Sequence, residues 1–86
     1  MTTKNDNMPV KQFCSINVIS ASVWKRIAKS GDAFYTVSLD RSYKDGDSWK
    51  RTSKFRHEEL GIVRKLASKA EAFIDDLLDA VISALN

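Results

Sequence analysis

Cations and aromatic rings are interleaved through the middle of this chain: Trp24-Lys25-Arg26, Phe34, Tyr43-Lys44 and Trp49-Lys50-Arg51, followed by Lys54 and Arg56. That combination of side chains suits an unpaired nucleic acid strand. Cations follow the phosphates, while exposed rings stack on bases for about 1 to 3 kcal/mol each, whatever the base. A duplex more often calls for a helix or ribbon that enters a groove. The plain alternative for the same charges is a solvated strand face.

Other residues that could do chemistry have simpler explanations. His57 is the single histidine, with no cysteine or carboxylate cluster around it at metal-ligand spacing, and reads as a helix-start residue. Glu58-Glu59 suits the first turn of a helix, where carboxylates favour the dipole, and Asp75-Asp76-Asp79 suits a solvated helix face. Gly31, Gly46 and Gly61 stand alone, so no glycine loop cradles a phosphate. The expectation is a protein without catalysis, metal or cofactor. One cysteine, Cys14, excludes an intrachain disulfide and a zinc cluster. With no secretory segment and no long apolar run, the chain is expected to be soluble and cytoplasmic, with no membrane partner.

The net charge is +3, and its distribution says more than its total. Residues 1–32 carry five basic and two acidic side chains, residues 33–56 six and three, and residues 57–86 three and six. A basic sheet with an acidic helix follows, the electrostatic footprint of a nucleic-acid binder. Eighty-six residues make one domain, and a chain this short gains stability from oligomerisation.

The elements that must position these residues can be read from periodicity. Residues 1–10 are polar and aperiodic, a disordered leader in which Lys4 could brush a polyanion. Phe13 to Arg26 is rich in β-branched residues but changes phase, with Cys14, Ile16 and Val18 apolar at even positions and Ile19, Ala21 and Val23 at odd ones. A bulge or sharp bend near Val18-Ile19 would keep both sets on the core and turn Ser20, Ser22 and Trp24 outward; Trp24 over the core edge is the alternative. Ser30-Gly31-Asp32 makes a turn.

Phe34 to Arg56 alternates by side around Asp45-Gly46-Asp47 and reads as a β-hairpin. Pairing odd residues with odd ones sets Val37 opposite Phe55, Leu39 opposite Ser53 and Tyr43 opposite Trp49, an apolar face. Lys44, Lys50, Thr52, Lys54 and Arg56 then share the basic face with Phe34. From His57 the period becomes 3.6, and a stripe from Leu60 to Leu85 predicts a helix of about 28 residues, roughly 42 Å long. A short sheet cannot cover that length. Residues 11–74 therefore form the binding domain, and residues 75–86 an apolar helical extension whose Leu77, Leu78, Val81, Ile82 and Leu85 hold copies together.

The first strand carries Ser20-Ala21-Ser22-Val23-Trp24-Lys25, the hairpin reads FYTVSLDRSYKDGDSWKRT, and SKFRHEELGIVRKLASKA leads into the helix. Over about residues 11–74 this resembles the positive-cofactor-four type of transcriptional coactivator and its bacterial and phage relatives. The resemblance implies a homodimer that binds single-stranded DNA on curved sheets. The expected fold is α+β: a strongly twisted antiparallel sheet of three long strands, or four if the first breaks at the bulge, followed by one long C-terminal helix. Lys44, Lys50, Lys54 and Arg56 are expected to contact phosphates with Lys25, Arg26 and Arg51 nearby, and Trp24 and Phe34 to stack on bases. Tyr43 and Trp49 would support the hairpin tip. A role in transcription regulation or replication would follow. RNA binding by the same sheet, and assembly through the apolar helix alone, are the competing readings.

Overall fold

A computed structural model describes residues 8–15 and 18–85, and for residues 82–85 their place in the helix. The elements are β1 (Lys11–Cys14), β2 (Ile19–Ile27), β3 (Ala33–Asp45), β4 (Ser48–Thr52), a 3₁₀ turn (His57–Glu59) and α1 (Leu60–Leu85). The strands form one antiparallel sheet in the order β1-β2-β3-β4, with the helix after it, an α+β arrangement. The leader with Lys4, up to residue 7, and Ile16 fall outside the described residues. The pairing of the first strands starts before β1, since the Val10 N–H donates to the Val23 carbonyl at 2.8 Å.

At the expected bulge or sharp bend the structure has a full chain reversal, which gives the four-strand form of the sheet. Phe13 pairs with Ala21 and Cys14 with Ser20, so β1 and β2 are separate strands and the sheet has four. Ser15 N–H donates to the Ile19 carbonyl, and Val18 takes φ 60°, a left-handed conformation uncommon for a β-branched residue. The reversal also explains the phase change in a way a bulge does not. Ile19, Ala21 and Val23 point at the helix and are fully buried, whereas Cys14 lies on the opposite face and Val18 is exposed.

The β3–β4 hairpin corrects the expected register. Asp45 pairs with Ser48, leaving Gly46-Asp47 as a two-residue turn with φ 64° at the glycine, the pattern of a type II′ hairpin. A two-residue turn pairs odd positions with even ones. Tyr43 faces Lys50 and Lys44 faces Trp49, one residue away from the odd-with-odd register. The ladder ends at Arg41–Thr52, so Val37 and Leu39 have no partner on β4. Ser53 to Arg56, expected as strand, are coil. They carry the chain onto the helix side, where Phe55 packs against the core of Ile19, Ala21 and Leu66.

Glu59 fixes the joint between sheet and helix. Its carboxylate accepts the Arg56 N–H at 2.7 Å and lies 3.3 Å from Arg41 Nε, while the Glu59 N–H donates to the Arg56 carbonyl at 2.9 Å. From there α1 crosses the sheet, burying Leu66 and Ala70 and setting Phe73 edge-on to Phe13 with centroids 6.1 Å apart. Beyond that the helix continues, and Leu78 and Val81 are 48% and 58% exposed.

Candidate nucleic-acid interface

Strand pairing decides which side chains share the face turned away from α1. Because Val23 and Ala21 are buried under the helix, their neighbours Ser20, Ser22, Trp24 and Arg26 emerge on the other side. The β2–β3 register places Asp40, Ser38, Thr36 and Phe34 beside them in turn. Continuing through β4, Ser42 faces Arg51 and Lys44 faces Trp49 on that same outer face.

The outer face has two aromatic stations. At one end Arg26 lies against the Trp24 ring, its guanidinium carbon 5.2 Å from the centroid, and Arg26 pairs directly with Phe34. Trp24 is half-buried, and its Nε1–H donates to Ser38 Oγ at 3.0 Å, which holds the indole against the sheet. Phe34 is exposed beside it. At the other end Lys44 Nζ lies 6.0 Å from the centroid of Trp49, which is 64% exposed. Eight residues of β3 separate Thr36 from Lys44, roughly 26 Å of extended chain. Hydroxyls line the floor between: Ser20, Ser22, Ser38 and Ser42, with Ser22 buried and accepting from Gln12 Nε2 at 3.2 Å.

The cations divide by partner. Among the described residues, Arg26 and Lys44 have no carboxylate within 4 Å, and their charges lie against indole rings instead. Arg51 stands 3.8 Å from Asp40 and is largely exposed. Two lysines fall on the other side. Lys25 pairs with Tyr35 on the helix side of the sheet, and Lys50 pairs with Tyr43 there and forms a 2.9 Å salt bridge with Asp45. Placing Lys50 with Lys44 was a consequence of the slipped register. Lys54 and Arg56 lie in the exposed coil after β4 rather than on a strand face, with Arg56 3.9 Å from Glu58.

Trp49 is the residue that sequence reasoning misplaced, as support for the hairpin tip. The signal was in the turn itself: Gly-Asp between two alternating runs favours a two-residue II′ connection, and that alone puts Trp49 opposite Lys44. Among the described residues no cluster of three or more histidine, cysteine or acidic side chains could hold a metal, and no helix is long and apolar enough to cross a membrane.

Compared with protein-family models, curated proteins and solved structures, the chain matches none.

Proposed function

We propose that this chain is a non-enzymatic protein that binds single-stranded DNA, with little sequence preference, across the outer face of its sheet. The observation that carries the reading is the pairing of each tryptophan on that face with a cation that has no carboxylate partner among the described residues, Trp24 with Arg26 and Trp49 with Lys44. A ring presented beside a cation offers a base somewhere to stack and its phosphate a counter-charge. The floor of small hydroxyls lets a strand lie close without a side-chain wall. Phe34 adds a third ring, and Arg51, Lys54 and Arg56 supply charge at the margin. The likeness to the positive-cofactor-four coactivators supports the same reading, as does the acidic helix on the far side, which is unsuited to a major groove. The protein works as a cytoplasmic homo-oligomer, in transcription regulation or replication.

Anisotropy titrations with labelled oligo-dT, oligo-rU and a duplex, each at two salt concentrations, test this. Oligo-dT should bind more tightly than the duplex, with affinity falling steeply as salt rises. Tighter binding to oligo-rU would move the assignment to RNA, whose 2′-hydroxyls the serine floor could meet. No binding to any of the three would leave self-assembly through α1, favoured by the exposure of Leu78 and Val81, as the function.

A further inference from the structure

The hydroxyls on the floor of the outer face are not equivalent. Ser22 accepts from Gln12 Nε2 at 3.2 Å and Ser38 from Trp24 Nε1 at 3.0 Å, so both already hold a neighbour in place. The hydroxyls of Ser20 and Ser42 have no partner among the described residues. Both line one cavity of about 190 Å³, which opens on the outer face toward the hairpin-tip end of the sheet. Gln12 and Cys14 of β1 wall it on one side and Arg51 of β4 on the other, and Val18, whose carbonyl accepts the Ser42 N–H at 2.9 Å, closes the end. Pockets for drug-sized ligands start at about 300 Å³, so this one is sized for a single ring. Ser20, Ser42 and Arg51 offer donors, Gln12 has its Oε1 left to accept, and Val18 and Cys14 are apolar. Asp40, opposite Ser20 and 3.8 Å from Arg51, sets a carboxylate at the rim. That charge opposes a phosphate in the cavity and favours a neutral ring bearing carbonyl oxygens.

We propose that this cavity receives one thymine of a bound strand, turned out of the row of stacked bases. The inference rests on the single-strand reading and adds to it a base preference at one position. Thymine brings two carbonyl oxygens for the two hydroxyls and Arg51, an imino N–H between them for Gln12 Oε1, and a methyl group for the apolar end at Val18. Cytosine replaces one carbonyl by an amino group, which Arg51, a donor only, cannot meet. Uracil keeps both carbonyls and lacks the methyl. Turning a base out is cheapest where it has no pairing partner to leave, as in a single strand. The place on the sheet also fits. Ser42 lies two residues before Lys44, roughly 7 Å of extended chain, so a strand with one base on Trp49 carries a neighbouring nucleotide over the cavity. Toward Trp24 the floor hydroxyls are already engaged, and the strand meets rings and charge that read no sequence.

Titration of the full chain with oligo-dT, oligo-dU and oligo-dC of equal length tests the assignment, because the three share a backbone and a single six-membered ring. Oligo-dT should bind best and oligo-dC worst, about tenfold apart, the discrimination expected of contacts at one base edge. Ser42→Leu fills the cavity from its floor without removing a cation. It should bring oligo-dT down to the affinity of oligo-dC and leave the salt slope unchanged, since no phosphate contact is lost. Cys14→Leu, which fills the cavity from its exposed wall, should do the same, and both variants should keep the circular dichroism of the parent chain. Thr36→Leu, on the same face but outside the cavity, should keep the preference for oligo-dT. Equal affinity for the three oligonucleotides, or a preference that survives both filling variants, would overturn the thymine site and leave the single-strand reading standing. Failure of all three to bind would remove that reading as well.

Discussion

Whether a lysine on a strand serves a ligand depends on which side of the pleat it occupies, and at Lys44 and Lys50 that side is set by one residue of register. Lys44 lies on the outer face against Trp49, whereas Lys50 is on the helix side, held at 2.9 Å by Asp45. Lys44→Ala should therefore weaken oligo-dT binding and reduce the slope of log affinity against log salt by about 0.7, one single-strand phosphate contact. Lys50→Ala should leave that slope where it is. Equal losses in both variants, measured by titration across a salt series, would mean that the bound strand wraps the hairpin rather than lying on one face. The outward position of Trp24 was legible because its buried neighbours Val23 and Ala21 alternate with it. Its hydrogen bond to Ser38 was not, because that depends on which residue of β3 lies across from it.

At the scale of elements, local signals were enough wherever one period ran unbroken. The 3.6-residue stripe from Leu60 onward located α1, and Ser30-Gly31-Asp32 located the turn between β2 and β3, closed by Ala28 N–H donating to the Asp32 carbonyl. Where two short strands meet, the pattern left two forms open, and the structure takes the four-strand one. Lys11 to Ile27 contains a reversal, and it is marked by no glycine or proline, only by a phase change and by Val18 taking a positive φ. A bulge and a tight reversal both shift phase by one, so the pattern alone could not separate them. The end of α1 follows from length: its last turns outrun the sheet, and Leu78 and Val81 remain exposed. Leu78→Ser with Val81→Ser should leave folding intact and lower the mass read by sedimentation. An unchanged mass would show that those side chains contact no second copy.

At the scale of the molecule, the sheet separates two tasks. One face carries the apolar core under α1, and the other carries rings, cations and hydroxyls. The sequence's uneven charge announced this division, with a basic first half and an acidic helix. The extent of the open β3 edge was hidden, because it depends on where the β4 ladder stops, and alternation alone suggested pairing as far as Val37. The chain has two tryptophans, both on the outer face, so each can report on that face alone. Fluorescence of Trp49→Phe, in which only Trp24 emits, and of Trp24→Phe, in which only Trp49 emits, should be measured during titration with oligo-dT. Quenching of both, saturating with the anisotropy change and reversed by salt, is the result expected if the strand lies across this face. Binding that leaves both emissions untouched would contradict it.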